Sequence, residues 1–257
     1  MDKKTKFGWM SILALGANFS LAWGSAVEDI RAARKRGDLD GAIRLATQAL
    51  ASGELSLEDQ AIAFYNRGVT WEKKKELERA IADYNEAIRL NPQYAAAFNE
   101  RGIAWGEKKE LERAIADFSE AIRLNPQFAL AFYDRGVTWE KKKDYDRAIA
   151  DYNEAIRLNP QYADAFYGRG VAWREKKDYD GAIADYNEAI KLNPKGALAF
   201  NNRGNAWYEK KDYDRAIADY SEAIRLNPQF ADVFGNRGHA WYSKKDYDPP
   251  TTTRQSG

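Results

Sequence analysis

Beginning at Ala61, apolar and small side chains fall into two sets of helical spacings separated by a polar turn. Phe64, Gly68 and Trp71 stand at i, i+4 and i+7 and share one helix face. Beyond the turn at Lys75-Glu76, Leu77, Ala80, Ile81, Tyr84, Ala87 and Ile88 trace one face of a second helix. Asn91-Pro92 then stops it, because proline cannot continue a helix and asparagine tolerates the left-handed cap. The pattern predicts two antiparallel helices joined by a short turn. Gly68 inside a helix costs about 1 kcal/mol relative to alanine, which implies close approach of a neighbour. Gly68, Ala80 and Ala87 are the small residues that let the helices touch, with Trp71 and Tyr84 filling the space beside them.

The whole pattern recurs every 34 residues. AIAFYNRGVTWEKKKELERAIADYNEAIRLNPQY, from Ala61, is followed by AAAFNERGIAWGEKKELERAIADFSEAIRLNPQF, and further copies start at Ala129, Ala163 and Ala197. A partial copy starts at Ala231. Six of the eight tryptophans form one column, Trp71, Trp105, Trp139, Trp173, Trp207 and Trp241, expected to lie in the core. Arg67 and Asp83 recur as Arg101/Asp117, Arg135/Asp151, Arg169/Asp185 and Arg203/Asp219, predicted salt bridges between the paired helices. If exposed, each would contribute about 0–1 kcal/mol.

A 34-residue period with these residue types resembles the tetratricopeptide repeat family over at least residues 61–247. The resemblance implies an all-α fold, a right-handed superhelical solenoid of stacked antiparallel helix pairs. It also implies a concave groove lined by the first helix of each pair, where a partner protein or peptide binds. By position, that groove comprises Tyr65, Val69, Asn99, Ile103, Tyr133, Val137, Tyr167 and Val171, then Asn201, Asn202, Asn205, Tyr208, Asn236, His239 and Tyr242. The expected ligand is an extended or helical segment, its apolar residues toward Tyr133 and Tyr167 and its backbone held by the asparagines. Some relatives clamp a C-terminal carboxylate with lysine and arginine. The matching positions here are Leu130, Asp134, Asp164, Gly168, Leu198 and Asn202, so that mode is not expected. The family also usually has leucine where Arg67 and its equivalents stand.

Residues 27–60 read as a degenerate N-terminal repeat and lead-in, its Gly37-Asp38-Leu39-Asp40-Gly41 matching the later turns. Residues 61–230 hold five full repeats. Residues 231–248 form a partial repeat serving as a capping helix, Pro249-Pro250 blocks a further helix, and 249–257 is an expected disordered tail. Residues 1–26 have the layout of a cleavable signal peptide: Lys3, Lys4 and Lys6, a mostly apolar run from Phe7 to Gly24, then Gly24-Ser25-Ala26. With Asn18 and serines inside it, the run falls short of the roughly 20 strongly apolar residues of a permanent span. A periplasmic or secreted protein with no stable membrane span after cleavage is therefore expected.

The remaining composition narrows the chemistry. There is no cysteine, and His239 is the one histidine, so zinc sites and a serine–histidine triad lack their residues. No phosphate-binding glycine loop is present. No enzyme activity and no cofactor are expected. The net charge of +1 gives no reason to expect nucleic acid. Lysine clusters such as Lys73 to Lys75 and Lys141 to Lys143 are interleaved with Glu76, Asp144 and Asp146 and read as a mixed-charge edge. The first aspartate of each Asp-Tyr-Asp, as at Asp144, is placed to cap a second helix. Self-association through the imperfect C-terminal cap is the alternative to partner binding.

Overall fold

The computed structural model describes residues 26–247. The expected signal segment, apart from Ala26, and the expected tail lie outside the described residues. Among these there are thirteen helices and no strand. One unit, up to Pro126, contains α1 (26–35), α2 (Leu39–Ala51), α3 (Leu57–Lys73), α4 (Leu77–Leu90), α5 (Ala95–Glu107) and α6 (Leu111–Leu124). A second, from Gln127, contains α7 (Ala129–Lys141), α8 (Tyr145–Leu158), α9 (Ala163–Glu175), α10 (Tyr179–Leu192), α11 (Ala197–Glu209), α12 (Tyr213–Leu226) and α13 (Ala231–Tyr247). In each unit the two helices of a repeat pack together, and each second helix packs on the first helix that follows.

The seat of each pair is the glycine. A Cβ on Gly68 would stand 2.7 Å from a ring carbon of Tyr84, and Gly102 meets Phe118 in the same way. Gly136 and Tyr152, Gly170 and Tyr186, and Gly204 and Tyr220 repeat this contact in the second unit. Tyr84, Tyr152 and Tyr186 are fully buried. The tryptophan column needs correction: Trp71, Trp105, Trp139, Trp173 and Trp207 are only half-buried. They form a lid at the turn end of the pair, where an arginine of the second helix covers Trp71, Trp105, Trp139 and Trp207, while Trp173, whose repeat has Gly181 at that position, has Lys176 at 5.9 Å. The guanidinium of Arg147 lies 4.0 Å from the Trp139 centroid and that of Arg215 3.5 Å from Trp207. Such stacking contributes about 0.5–1 kcal/mol at an exposed site.

The arginine–aspartate pairs form, with two parallel hydrogen bonds each. Arg67 Nε and Nη2 donate to Asp83 at 2.8 and 2.7 Å. The carboxylates are buried, so these are not the exposed pairs considered above. The remaining guanidinium nitrogen reaches back to the preceding repeat: Arg67 Nη1 to Thr47 at 3.0 Å, Arg101 to Asn85 at 2.7 Å, Arg203 to Asn187 at 2.6 Å. One arginine thus joins its own pair and the pair before it, which leucine cannot do.

The lysine edge is locally neutralised. Lys74 pairs with Asp40 and Lys108 with Glu78, both at 2.6 Å, and Lys176, Lys210 and Lys244 pair with Asp146, Asp180 and Asp214. Asp144, Asp178 and Asp212 each accept a backbone N–H as helix caps.

Candidate functional site

In the first unit the predicted groove residues sit low. Tyr65, Val69 and Ile103 are half-buried, and Val69 packs against the Ala80–Tyr84 core. The Tyr65 ring lies 5.0 Å from Tyr94, and burial raises its pKa well above the usual phenol range. Asn99 does not reach the surface at all; it is wholly buried, a correction to its placement in an open groove.

The second unit brings more of the predicted set together. Two clefts open along α7, α9, α11 and α13. The first, of about 260 Å³, is lined by Tyr133, Ala163, Asp164, Tyr167, Ala189, Asn193, Gly196, Leu198 and Ala199. Burial pushes the Tyr133 pKa up to about 12, so its hydroxyl stays protonated. The second, of about 440 Å³, is lined by Arg174, Glu175, Lys177, Tyr179, Asn205, Tyr208, Glu209, Tyr220, Asn236 and His239. Asn202 stands between the two, donating to the Tyr167 hydroxyl at 2.7 Å and accepting from Arg174 at 3.4 Å. Val137 and Val171 are half-buried, and Tyr242 is exposed on α13 without lining either cleft.

The asparagines bond one another. Asn236 donates to Asn201 at 3.1 Å, Asn201 to Asn202 at 3.3 Å, and the Tyr220 hydroxyl to Asn205 at 2.8 Å. Asn201 is buried and acts inside this network, a second correction to the groove. Asn202, Asn205 and Asn236 remain half-buried beside the clefts.

Two residues of these clefts were missed from sequence. Arg174 stands where the first and third full repeats have Glu72 and Glu140, and the second and fifth Gly106 and Tyr208. Those glutamates accept the hydroxyls of Tyr84 at 2.8 Å and Tyr152 at 3.0 Å. With arginine there, the buried Tyr186 hydroxyl has no hydrogen-bond partner among the described residues. Gly196 stands where Tyr94, Phe128, Tyr162 and Phe230 stand in the other repeats. The signal for both was a departure from the repeat, visible only when the copies are compared column by column.

Family profiles described as tetratricopeptide repeat match residues 29–95, 107–163, 141–197 and 197–230. The chain belongs to the tetratricopeptide repeat family. Proteins of this family generally serve as non-catalytic scaffolds for protein–protein interaction. No curated protein sequence matches the chain. Among solved structures it is similar to PilF of Pseudomonas aeruginosa, at 19% identity and a TM-score of 0.75, over 86% of this chain and 99% of that one. It is also similar to YrrB, a tetratricopeptide repeat protein with an unusual peptide-binding site, at 23% identity and a TM-score of 0.62, over 75% of this chain and 97% of that one. A tetratricopeptide repeat protein from Parabacteroides merdae aligns over 89% of both chains at 19% identity and a TM-score of 0.70. Identities this low speak to the fold alone. Among the described residues no helix is long and apolar enough to cross a membrane.

Proposed function

We propose that the chain is a scaffold that binds a segment of another polypeptide along the first helices of its second unit, α7, α9, α11 and α13. The observation that carries this is Arg174. It lines the larger cleft with Asn205, Tyr208, Asn236 and His239, which can donate hydrogen bonds, and with Glu175 and Glu209, which accept them; Arg174 Nη2 itself donates to Glu175 at 2.6 Å. Donors and acceptors side by side suit the N–H and carbonyl groups of a peptide backbone. Arginine at this position also has a structural cost, because the buried Tyr186 hydroxyl loses the acceptor that Tyr84 and Tyr152 have. An unpaired buried hydroxyl costs about 1–3 kcal/mol, a penalty that fits a residue placed for binding. YrrB, a tetratricopeptide repeat protein with an unusual peptide-binding site, is consistent with this reading.

Selecting a displayed random-peptide library on the protein tests it. Enriched peptides are expected to bind Arg174→Glu at least about tenfold more weakly than wild type, with the circular dichroism unchanged. No enrichment, or equal binding to the folded variant, would sink the proposal.

The order of lysines, apolar run and small residues in 1–26 supports placing this scaffold in the bacterial cell envelope. N-terminal sequencing of the envelope form is expected to start near Val27. A full-length chain confined to the cytosol would refute export.

A further inference from the structure

The last residue of each repeat, just ahead of the next first helix, is aromatic in four of the five full copies. In the first and third copies its ring covers the tyrosine near the start of the same repeat: Tyr94 lies 5.0 Å from Tyr65, and Tyr162 lies 4.9 Å from Tyr133. The fourth copy has Lys195-Gly196 in place of glutamine and an aromatic, so Tyr167 has no such cover. The backbone gives no reason for the glycine. Gly196 has φ −76° and ψ 83°, against −85° and 83° at Tyr162 and −83° and 77° at Tyr94. A Cβ there would meet its nearest neighbour, the Asn193 carbonyl oxygen, at 3.3 Å, in a turn of the same shape that holds tyrosine elsewhere.

Where the missing ring would lie, the structure has the cleft of about 260 Å³ between Tyr133, Tyr167, Gly196 and Leu198. An engineered apolar cavity of about 150 Å³ is enough to hold benzene. Leu198 is 56% exposed and would gain cover from a ring placed there. Asp164 lines the same cleft and can accept a phenolic hydroxyl. We propose that this cleft is an aromatic-acceptor site, taking a tyrosine or phenylalanine side chain of the bound partner in the place that Tyr94 and Tyr162 fill from within. The proposal rests on the peptide-binding reading above and specifies one side chain that such a segment carries.

p-Cresol, the free tyrosine side chain, is the probe. In amide NMR spectra of the mature chain it is expected to give saturable shifts at Tyr167, Gly196 and Leu198 at roughly millimolar concentration, as suits so small a ligand. Gly196→Tyr restores the ring of the other repeats and is expected to weaken p-cresol binding at least about tenfold while raising the thermal midpoint. The saturated 4-methylcyclohexanol is expected to bind more weakly than p-cresol. Absence of saturable shifts in wild type, equal binding by the saturated alcohol, or undiminished binding to Gly196→Tyr overturns the site. Should Gly196→Tyr not fold, Leu198→Asp makes the same comparison. A wild-type dimer that Gly196→Tyr turns into a monomer would put a second copy's side chain in the cleft and overturn the assignment to a partner. Selected peptides with no p-cresol binding would remove this site alone. p-Cresol binding with no selected peptides would remove the scaffold reading instead.

Discussion

Lys143 occupies a backbone conformation that suits glycine better than lysine. Its φ is 61°, and Lys75, Lys109, Lys177 and Lys211 share it at 63–65°. In the first, divergent repeat the same turn position is Gly37, at φ 81°. The geometry is needed because the turn closes the helix with crossed backbone bonds: Lys143 N–H donates to Glu140 at 2.8 Å and Asp144 N–H to Trp139 at 2.9 Å. An L side chain in this region costs roughly 1–2 kcal/mol, and no described partner of the Lys143 side chain offsets it. Lys143→Gly is therefore expected to stabilise the protein by about 1 kcal/mol in urea denaturation, after allowing for the extra chain entropy of glycine. An unchanged or lower midpoint would mean that the surrounding turn already relaxes around lysine. The arginine–aspartate column shows the opposite economy at the same scale. Asp151 is buried, and Arg135 meets it with two bonds of 2.8 and 2.7 Å, so the charge is compensated where it is made.

At the scale of the helix, much could be read before any coordinates. Asn91-Pro92, Asn159-Pro160 and their equivalents end the second helix of each full repeat, and Asp144, Asp178 and Asp212 start three of them, because these residues have local effects that need no tertiary context. Ranking the columns of one apolar face was harder. Trp71 and Tyr84 both lie on apolar faces, and only the contact of Tyr84 with Gly68 makes the tyrosine the centre of the pair and the tryptophan its edge. The groove shows the same limit. One column reads Tyr65, Asn99, Tyr133, Tyr167 and Asn201 along the chain. Its tyrosines are long enough to reach solvent while the shorter asparagines stay buried, so a shared position does not mean shared exposure. Arg174 and Gly196 escaped notice for a different reason. Averaging the copies identifies the fold, but it suppresses a column that varies from copy to copy, as at Arg174, and a column where one copy differs, as at Gly196, and here both line the clefts.

At the scale of the whole molecule, stability in an array of repeats is approximately a sum of repeat terms and nearest-neighbour terms, so the same side chain should matter less at an end than inside. The tryptophan column tests this with chemistry held constant. Trp139 is half-buried, packs against the Ala148–Tyr152 core and lies under Arg147. It also belongs to a repeat whose second helix, α8, packs on the next first helix, α9. Trp241, in the same column on α13, is 49% exposed, and the cation over its ring is Lys244 at 5.7 Å. Phe234 on the same helix is 46% exposed. After α13 the sequence runs Asp248-Pro249-Pro250, and one repeat length beyond Asp219 and Tyr220 it has Thr253 and Arg254. Trp139→Ala is expected to lower stability by about 2 kcal/mol, roughly half the loss for a wholly buried tryptophan. Trp241→Ala should lower it by less than about 1 kcal/mol, since half of its surface is already in water. Urea denaturation of the two variants side by side reads the difference. Equal losses would show that α13 is held as tightly as an internal helix, and the open end inferred from Trp241 and Phe234 would have to be abandoned.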